Sequence, residues 1–594
     1  MRIATISHHA RTMAFNLLLA LICAGSTFCS HDALALITVG PNGDTACNYH
    51  DIGAAVQAAG QAAGPELIAV SGNWTQQTTI TDHDSDGLTI EGGFANCSAG
   101  VSSGRSTLDG QGMPLTAPLI VHSGNGPLTL LHLIVQNGNA GGIESVVAGP
   151  LTLSDVIVYS NHAAYGGGLF VSGNNIFRMQ LSLIGSSINS NTATSNGGGL
   201  YVAETDISIS SGSTIVGNIA QGGPGGISDG GGIYAFNSNI IVKDHSVPPN
   251  AFIGNNSAQR NGGGVYYSIG SGGNYEMLMS NDLANEPLLV AANTALNNGG
   301  AFYFSTTGGS QQILSFTSFS NMLFQQNEAY GGAVAFVQSS GNGSANATTG
   351  IRFAQTRAGD SVPPCAVGLE CNAIDDNHAI SGSIIDIDRA GTNGSAYLEL
   401  LRGRMRDNRA SLLINGNGQM TVDSSLIASN EVDVVAGTVS GDLHIGNSTF
   451  ANNTVTGDHL FTAILPPASL EVRHSLFLQP DGNALPHAYT LGGGVPVTVR
   501  DIGTHNVVFD TGTNVQNLTD PFVNSASGNF HILLNSSAVD RWGSANDPDD
   551  PPPTVDLDGA TRPYVKNSPT TPFDFGAYEA GAVVDVIFKS GFDP

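Results

Sequence analysis

Glycine clusters recur through the middle of this chain at a spacing too regular for an ordinary globular domain. They open at Gly166, Gly197, Gly230, Gly262, Gly299 and Gly331, at intervals of 31, 33, 32, 37 and 32 residues. An asparagine and an alanine precede each one: Asn161/Ala163, Asn191/Ala193, Asn218/Ala220, Asn255/Ala258, Asn293/Ala295 and Asn327/Ala329. Most clusters run on into an apolar or aromatic pair, as in GGGLF from Gly166, GGGLY from Gly197, GGGIY from Gly230 and GGAFY from Gly299. Self-similarity with a period of about 20–50 residues specifies a solenoid, in which each unit buries its apolar face only against its neighbours.

The segments between the glycines decide which solenoid. LYVAETDISISS from Leu200 alternates with a period of two and carries β-branched residues, as a half-buried strand does. No stretch keeps an apolar spacing of 3.6 for ten residues, which excludes the helical repeats. The expected fold is all-β: a right-handed parallel β-helix with strand, turn, strand, turn, strand in each coil. Glycine supplies positive φ at one corner. Asparagine tolerates the left-handed region at another and can stack its amides along the axis. The repeated residues therefore read as structure, not catalysis.

On these residues the chain resembles the polymorphic outer-membrane protein repeats of bacterial surface proteins, which pair FxxN with GGA and an aliphatic residue. FQQN from Phe324 with GGAV from Gly331, and FIGN from Phe252 with GGGV from Gly262, carry the likeness; Ile188, Ile215 and Val290 stand near the aromatic place elsewhere. It covers residues 140–480 as an architecture and implies no active site. Leaner units follow at LIASNEV from Leu426, STFANNTV from Ser448 and HSLFLQP from His474. Residues 111–505 would then hold about 13–16 coils in a rod on the order of 65–75 Å long.

Both ends read as caps. Residues 36–110 contain the helix-like CNYHDIGAAVQAAG from Cys47, then strand-like runs, then Cys97, an order similar to the N-terminal cap of secreted β-helix proteins. Residues 506–580 carry DPFV from Asp520, GNFHILLNSSAVD from Gly528, DLDGATRP from Asp556 and DFGAYE from Asp574. That series resembles the closing segment of the bacterial β-helix proteins called choice-of-anchor Q. Residues 581–594 are similar to short C-terminal tails on exported Gram-negative proteins.

Residues 1–35 have the form of a secretory signal: Arg2 and Arg11, an apolar stretch from Ala14 to Gly25, and a small-x-small site at Ala33-Leu34-Ala35. No later run of 18 apolar residues follows, so no transmembrane span is expected in the mature chain. Export leaves Cys47, Cys97, Cys365 and Cys371 in an oxidising compartment, where four cysteines allow three pairings. The local one joins Cys47 to Cys97 and Cys365 to Cys371. A zinc site is the rival, but no CxxC pair supports it.

The charge narrows function. Asp and Glu outnumber Lys and Arg 47 to 19, for a net −28, which excludes a nucleic-acid binder. Asp82, Asp84 and Asp86, with Gly87, form a DxDxDG loop suited to calcium, though Gly93 stands where an EF-hand has Glu. Arg402, Arg404 and Arg406 would alternate outward on one strand, where three guanidinium groups could grip an acidic glycan or pair with acids on neighbouring coils. Asp375, Asp376, Asp386, Asp388 and Asp407 lie nearby in sequence, and Asp386 and Asp388 would share a face. No lyase or glycosidase motif surrounds them, and no catalytic residue is assigned. The expectation is an exported cell-surface or secreted protein of structural or adhesion type, binding a polysaccharide or a partner surface. The alternative is a polysaccharide-degrading enzyme on a pectin-lyase-like solenoid.

Overall fold

A computed structural model describes residues 35–580 except 62–65, 82–85, 112–116, 175, 211, 223–225, 245–251, 271, 282–286, 309–311, 342–345, 355–371, 391–392, 543–555, 559–561 and 563–572. Strands stack in parallel, coil upon coil, as a parallel β-helix with three faces. Leu151–Ser154, Met179–Ile184 and Thr205–Ser210 are successive rungs of the first face. Ile157–Tyr159, Ser187–Asn189 and Thr214–Val216 belong to the second, and Leu169–Ser172, Leu200–Ala203 and Ile233–Phe236 to the third. Rungs pair in register, so Leu169, Leu200 and Ile233 stand one above another. From Leu128–Leu131 to Val497–His505 the first face has thirteen rungs, at the lower end of the expected range.

Period-two alternation sorts each strand into core and surface. On the third face Leu169, Val171, Leu200, Val202, Ile233 and Ala235 are fully buried, while the residues between them face outward. One continuous apolar column results. It extends into the stretch read as the N-terminal cap, where Ala35–Val39, Glu66–Ser71 and Leu88–Phe94 are already rungs of the first face. The only α-helix among the described residues, Ile52–Ala59, plugs that end. Asp51 caps it by accepting the Ala54 N–H at 2.7 Å, and Ile52, Ala55, Val56 and Ala59 join the core. Cys47 and Cys97 are disulfide-bonded. Cys365 and Cys371, the signal-like segment and the C-terminal tail lie outside the described residues.

The corners explain the repeat. Each coil turns from the second face on a left-handed residue, such as Ser160, Ser190, Asn255, Gln326 and Asp376. The next residue is an asparagine whose Oδ1 accepts both the backbone N–H and the side-chain amide of its counterpart one coil earlier. The series runs through Asn161, Asn191, Asn218, Asn256, Asn293, Asn327, Asn377, Asn408, Asn430 and Asn453. Asn256, not Asn255, is the member in its coil, which removes the irregular spacing there. The left-handed burden falls on the residue before each ladder asparagine. Glycine takes positive φ at the corner before the third face, and in the sixth cluster the residue that does so is Gly332, not Gly331. A Cβ on the middle glycine, as at Gly198, would collide with the Gly231 carbonyl of the next coil.

The C-terminal segment packs sideways. Leu426, Ala428, Ala451, Leu476 and Leu478 on the outside of the second face form a separate core with Phe522, Phe530, Trp542, Phe573, Phe575 and Tyr578. Gly576 donates its N–H to the His474 carbonyl at 2.9 Å, and Trp542 stacks on the His474 ring at 3.6 Å. Inside this layer Arg562 and Glu579 form a fully buried ion pair at 3.4 Å.

Candidate functional site: an aromatic ladder on the third face

The outward position four residues beyond the positive-φ glycine of each cluster carries a ring in six successive coils. Phe170, Tyr201, Tyr234, Tyr266, Tyr303 and Phe336 are backbone partners in register. Their rings stack with centroids 5.0–5.2 Å apart and planes within 9° of parallel. Parallel in-register pairing leaves the side chains of one column no other spacing than the strand spacing, which suits offset aromatic stacking. Tyr303 is buried and the other five are half-buried, so their outer edges form a continuous strip along the axis. Burial pushes the phenol pKa values of Tyr201, Tyr234, Tyr266 and Tyr303 up, keeping their hydroxyls protonated. Arg260 pairs with Asp229 beside the strip.

Different groups terminate the ladder at its two ends. After Phe336 the register position belongs to Asp386, whose carboxylate accepts the Ser383 hydroxyl at 2.8 Å and the Asn415 amide at 3.2 Å. Burial raises its pKa; those two donors oppose the shift and nearby Asp388 adds to it. Asp388 accepts from Gln338 and Asn417, and Gln338 in turn accepts the Tyr303 hydroxyl at 3.0 Å. Before Phe170 the position belongs to Glu144. There a groove of about 260 Å³ opens, walled by Glu144, Tyr165 and Phe170 over a floor of Gly141, Ala163 and Gly166.

The arginines of LRGRMRDNR divide. Met405 points inward and is fully buried, in the column of Phe324 and Ile374. Arg404 and Arg406 face outward on the second face. Arg402 does not: it occupies the left-handed corner ahead of that strand (φ 51°) and is buried. Its guanidinium donates to the Asp556 carbonyl at 3.1 Å and the Leu557 carbonyl at 3.3 Å, pinning the C-terminal segment. Arg404 forms a two-pronged pair with Asp375, and Arg406 Nε lies 2.9 Å from Asp407. The nearby carboxylates divide too. Asp375 is on the second face, Asp376 and Asp407 are at its corner, and Asp386 and Asp388 are on the third. Arg404 and Arg406 thus share no face with Asp386 and Asp388. Of the DxDxDG loop, Asp82 and Asp84 lie outside the described residues, while Asp86 leads into the strand Leu88–Phe94.

The fold class is that of a parallel β-helix, here with a stacked aromatic column on the outside of one face. Compared with models of known protein families and with curated proteins, the chain matches none. No helix among the described residues is long and apolar enough to cross a membrane.

Proposed function

We propose that the protein is exported and serves at a bacterial cell surface, or free outside the cell, as an adhesion-type scaffold that holds an extended glycan along its third face. The single observation that carries this is the six-ring ladder. Its rings repeat every 5.0–5.2 Å along one axis, four of them carrying a phenol hydroxyl, and that repeat is about the length of one sugar unit in an extended chain. A periodic strip of apolar edge and hydroxyl suits a periodic ligand with alternating C–H and O–H groups, many weak contacts adding along its length. The net charge of −28 and the acidic partners of Arg404 and Arg406 favour an uncharged glycan over an acidic one. The signal-like N-terminus and the resemblance to bacterial surface repeats and to choice-of-anchor Q endings support export.

The test is a pull-down of neutral and acidic polysaccharides by the mature protein from Leu36, followed by resolution of chain lengths after incubation with and without calcium. Retention of a neutral chain at unchanged length supports a binding scaffold. Shortened chains overturn it in favour of a degrading enzyme, and Asp386 would be the first carboxyl to replace.

A further inference from the structure

We infer that the groove at the N-terminal end of the ladder is a subsite for one pyranose unit at the end of a glycan. Its apolar ring face stacks on Phe170, and its hydroxyl or ammonium hydrogens are donated to Glu144. This deepens the glycan-track reading and rests on it.

Phe170 is the ladder's terminal ring. One face lies against Tyr201 at 5.0 Å, and the other looks toward the coil where Glu144 replaces the next aromatic. An incoming flat apolar surface therefore continues a stack that the chain itself leaves unfinished. Small residues make the space: Pro118, Ala140, Gly141, Ala163 and Gly166 line the groove, and among the described residues no side chain fills it. Tyr165 stands as a side wall, held edge-on against Tyr201 at 5.6 Å, with about half its surface exposed.

Glu144 supplies the polar contact. It is half-buried in the groove wall, and among the described residues it has no hydrogen-bond or ion-pair partner. The opposite end of the ladder differs, since Asp386 and Asp388 are both engaged by neighbouring side chains. A carboxylate accepts hydrogen bonds and offers none, so the ligand must bring donors and no acid group of its own. Pockets of this kind pair an apolar wall with one or two placed polar groups that fix orientation. Vicinal hydroxyls beside the C–H face of a pyranose meet both demands; an amino sugar meets them with an added charge attraction.

Calorimetry with disaccharides and hexasaccharides of β-linked glucose, glucosamine and glucuronic acid tests this on the mature protein. The neutral or amino disaccharide is expected to bind, the glucuronic one at least tenfold more weakly. Glu144→Gln is nearly isosteric and breaks no hydrogen bond or ion pair among the described residues, so the variant is expected to fold. It is expected to cost the disaccharide at least tenfold in affinity and to narrow the discrimination against glucuronic acid. Phe170→Leu is expected to weaken disaccharide binding similarly, and Tyr266→Leu to remove the gain in affinity from disaccharide to hexasaccharide. Unchanged disaccharide affinity in Glu144→Gln overturns the subsite, while a persisting gain with chain length leaves the track standing. Disaccharide binding with no gain on lengthening keeps the subsite and sinks the track. A simple alkylamine bound as tightly as the glucosamine disaccharide overturns the sugar assignment, and no binding of any saccharide at millimolar concentration overturns both.

Discussion

Asn327 donates its side-chain amide to Asn377 at 3.0 Å, across a separation of 50 residues. The same bond between Asn408 and Asn430 spans only 22. Coil length varies more than twofold while the corner geometry stays fixed, so the asparagine column keeps this corner in register and insertions fall elsewhere. Each ladder amide also donates to a backbone carbonyl of an earlier coil, as Asn327 does to Val290 at 3.0 Å.

Replacing Asn327 by Ala leaves the buried Asn293 N–H and one of the two Asn293 amide hydrogens without an acceptor, while the other amide hydrogen keeps the Ile253 carbonyl. Each orphaned group costs about 1–3 kcal/mol before water relaxes into the site, so a local loss on the order of 2–5 kcal/mol is expected. Solenoid units couple mainly to their neighbours, so the effect should be regional. Amide hydrogen exchange checks it: protection of Asn293 should fall at least tenfold, with rungs beyond Asn430 unaffected.

The Cys47–Cys97 bond ties the loop before the helix Ile52–Ala59 to the start of the rod. At a sequence separation of 50, the chain-entropy account gives about 4 kcal/mol for its loss. The two tryptophans report the ends separately: Trp74 sits by the N-terminal plug, its indole N–H on the Ser71 carbonyl at 3.0 Å, and Trp542 sits in the C-terminal layer. In Cys47→Ser the Trp74 emission should shift at lower denaturant, while that of Trp542 keeps its midpoint.

What could be read in advance was what repeats locally. The glycine period and the alternating strands defined the coil, because each needs only a few neighbouring residues. The Asn255 misplacement came from a second asparagine at the left-handed corner, where side-chain identity does not distinguish the turning residue from the ladder residue. The aromatic column was visible as the last letter of GGGLY, GGGIY and GGAFY. Its meaning depended on in-register stacking, which period-two patterning does not contain. Arg402 was expected to face outward with Arg404 and Arg406, but the left-handed corner interrupts the alternation there. Its real partners, the carbonyls of Asp556 and Leu557, are more than 150 residues away.

The C-terminal layer depends on a pair hidden from water. Arg562 and Glu579 are fully buried, 3.4 Å apart, and Arg562 also donates to the Gly576 carbonyl at 2.6 Å. Removing one partner of a buried pair strands the other charge and costs about 3–5 kcal/mol. Glu579→Ala should therefore release the layer from Leu426, Leu476 and Leu478. The expected signs are protease cleavage within residues 518–580 and a red-shifted Trp542 emission, with Trp74 unmoved. Retained protection of the layer in that variant would mean that apolar packing alone holds it.

Acid should weaken the rod near its N-terminal end through one interior imidazole. His122 points into the core from the third-face strand Ile120–His122, is 1% exposed, and lies 2.9 Å from the Ser145 hydroxyl. Burial lowers its pKa from 6.5 to about 4, with a smaller opposing pull from a hydrogen bond to Gly126. Between those two values the unfolded chain takes up a proton that the folded chain refuses, so stability falls as pH drops from about 6.5 to 4. At 1.36 kcal/mol per unit, the full loss is about 3 kcal/mol. Urea unfolding at pH 7 and pH 4, followed by Trp74 emission, compares the wild type with His122→Gln. The variant should lose about 3 kcal/mol less than the wild type over that interval. Equal losses in the two proteins would move the acid sensitivity to other groups.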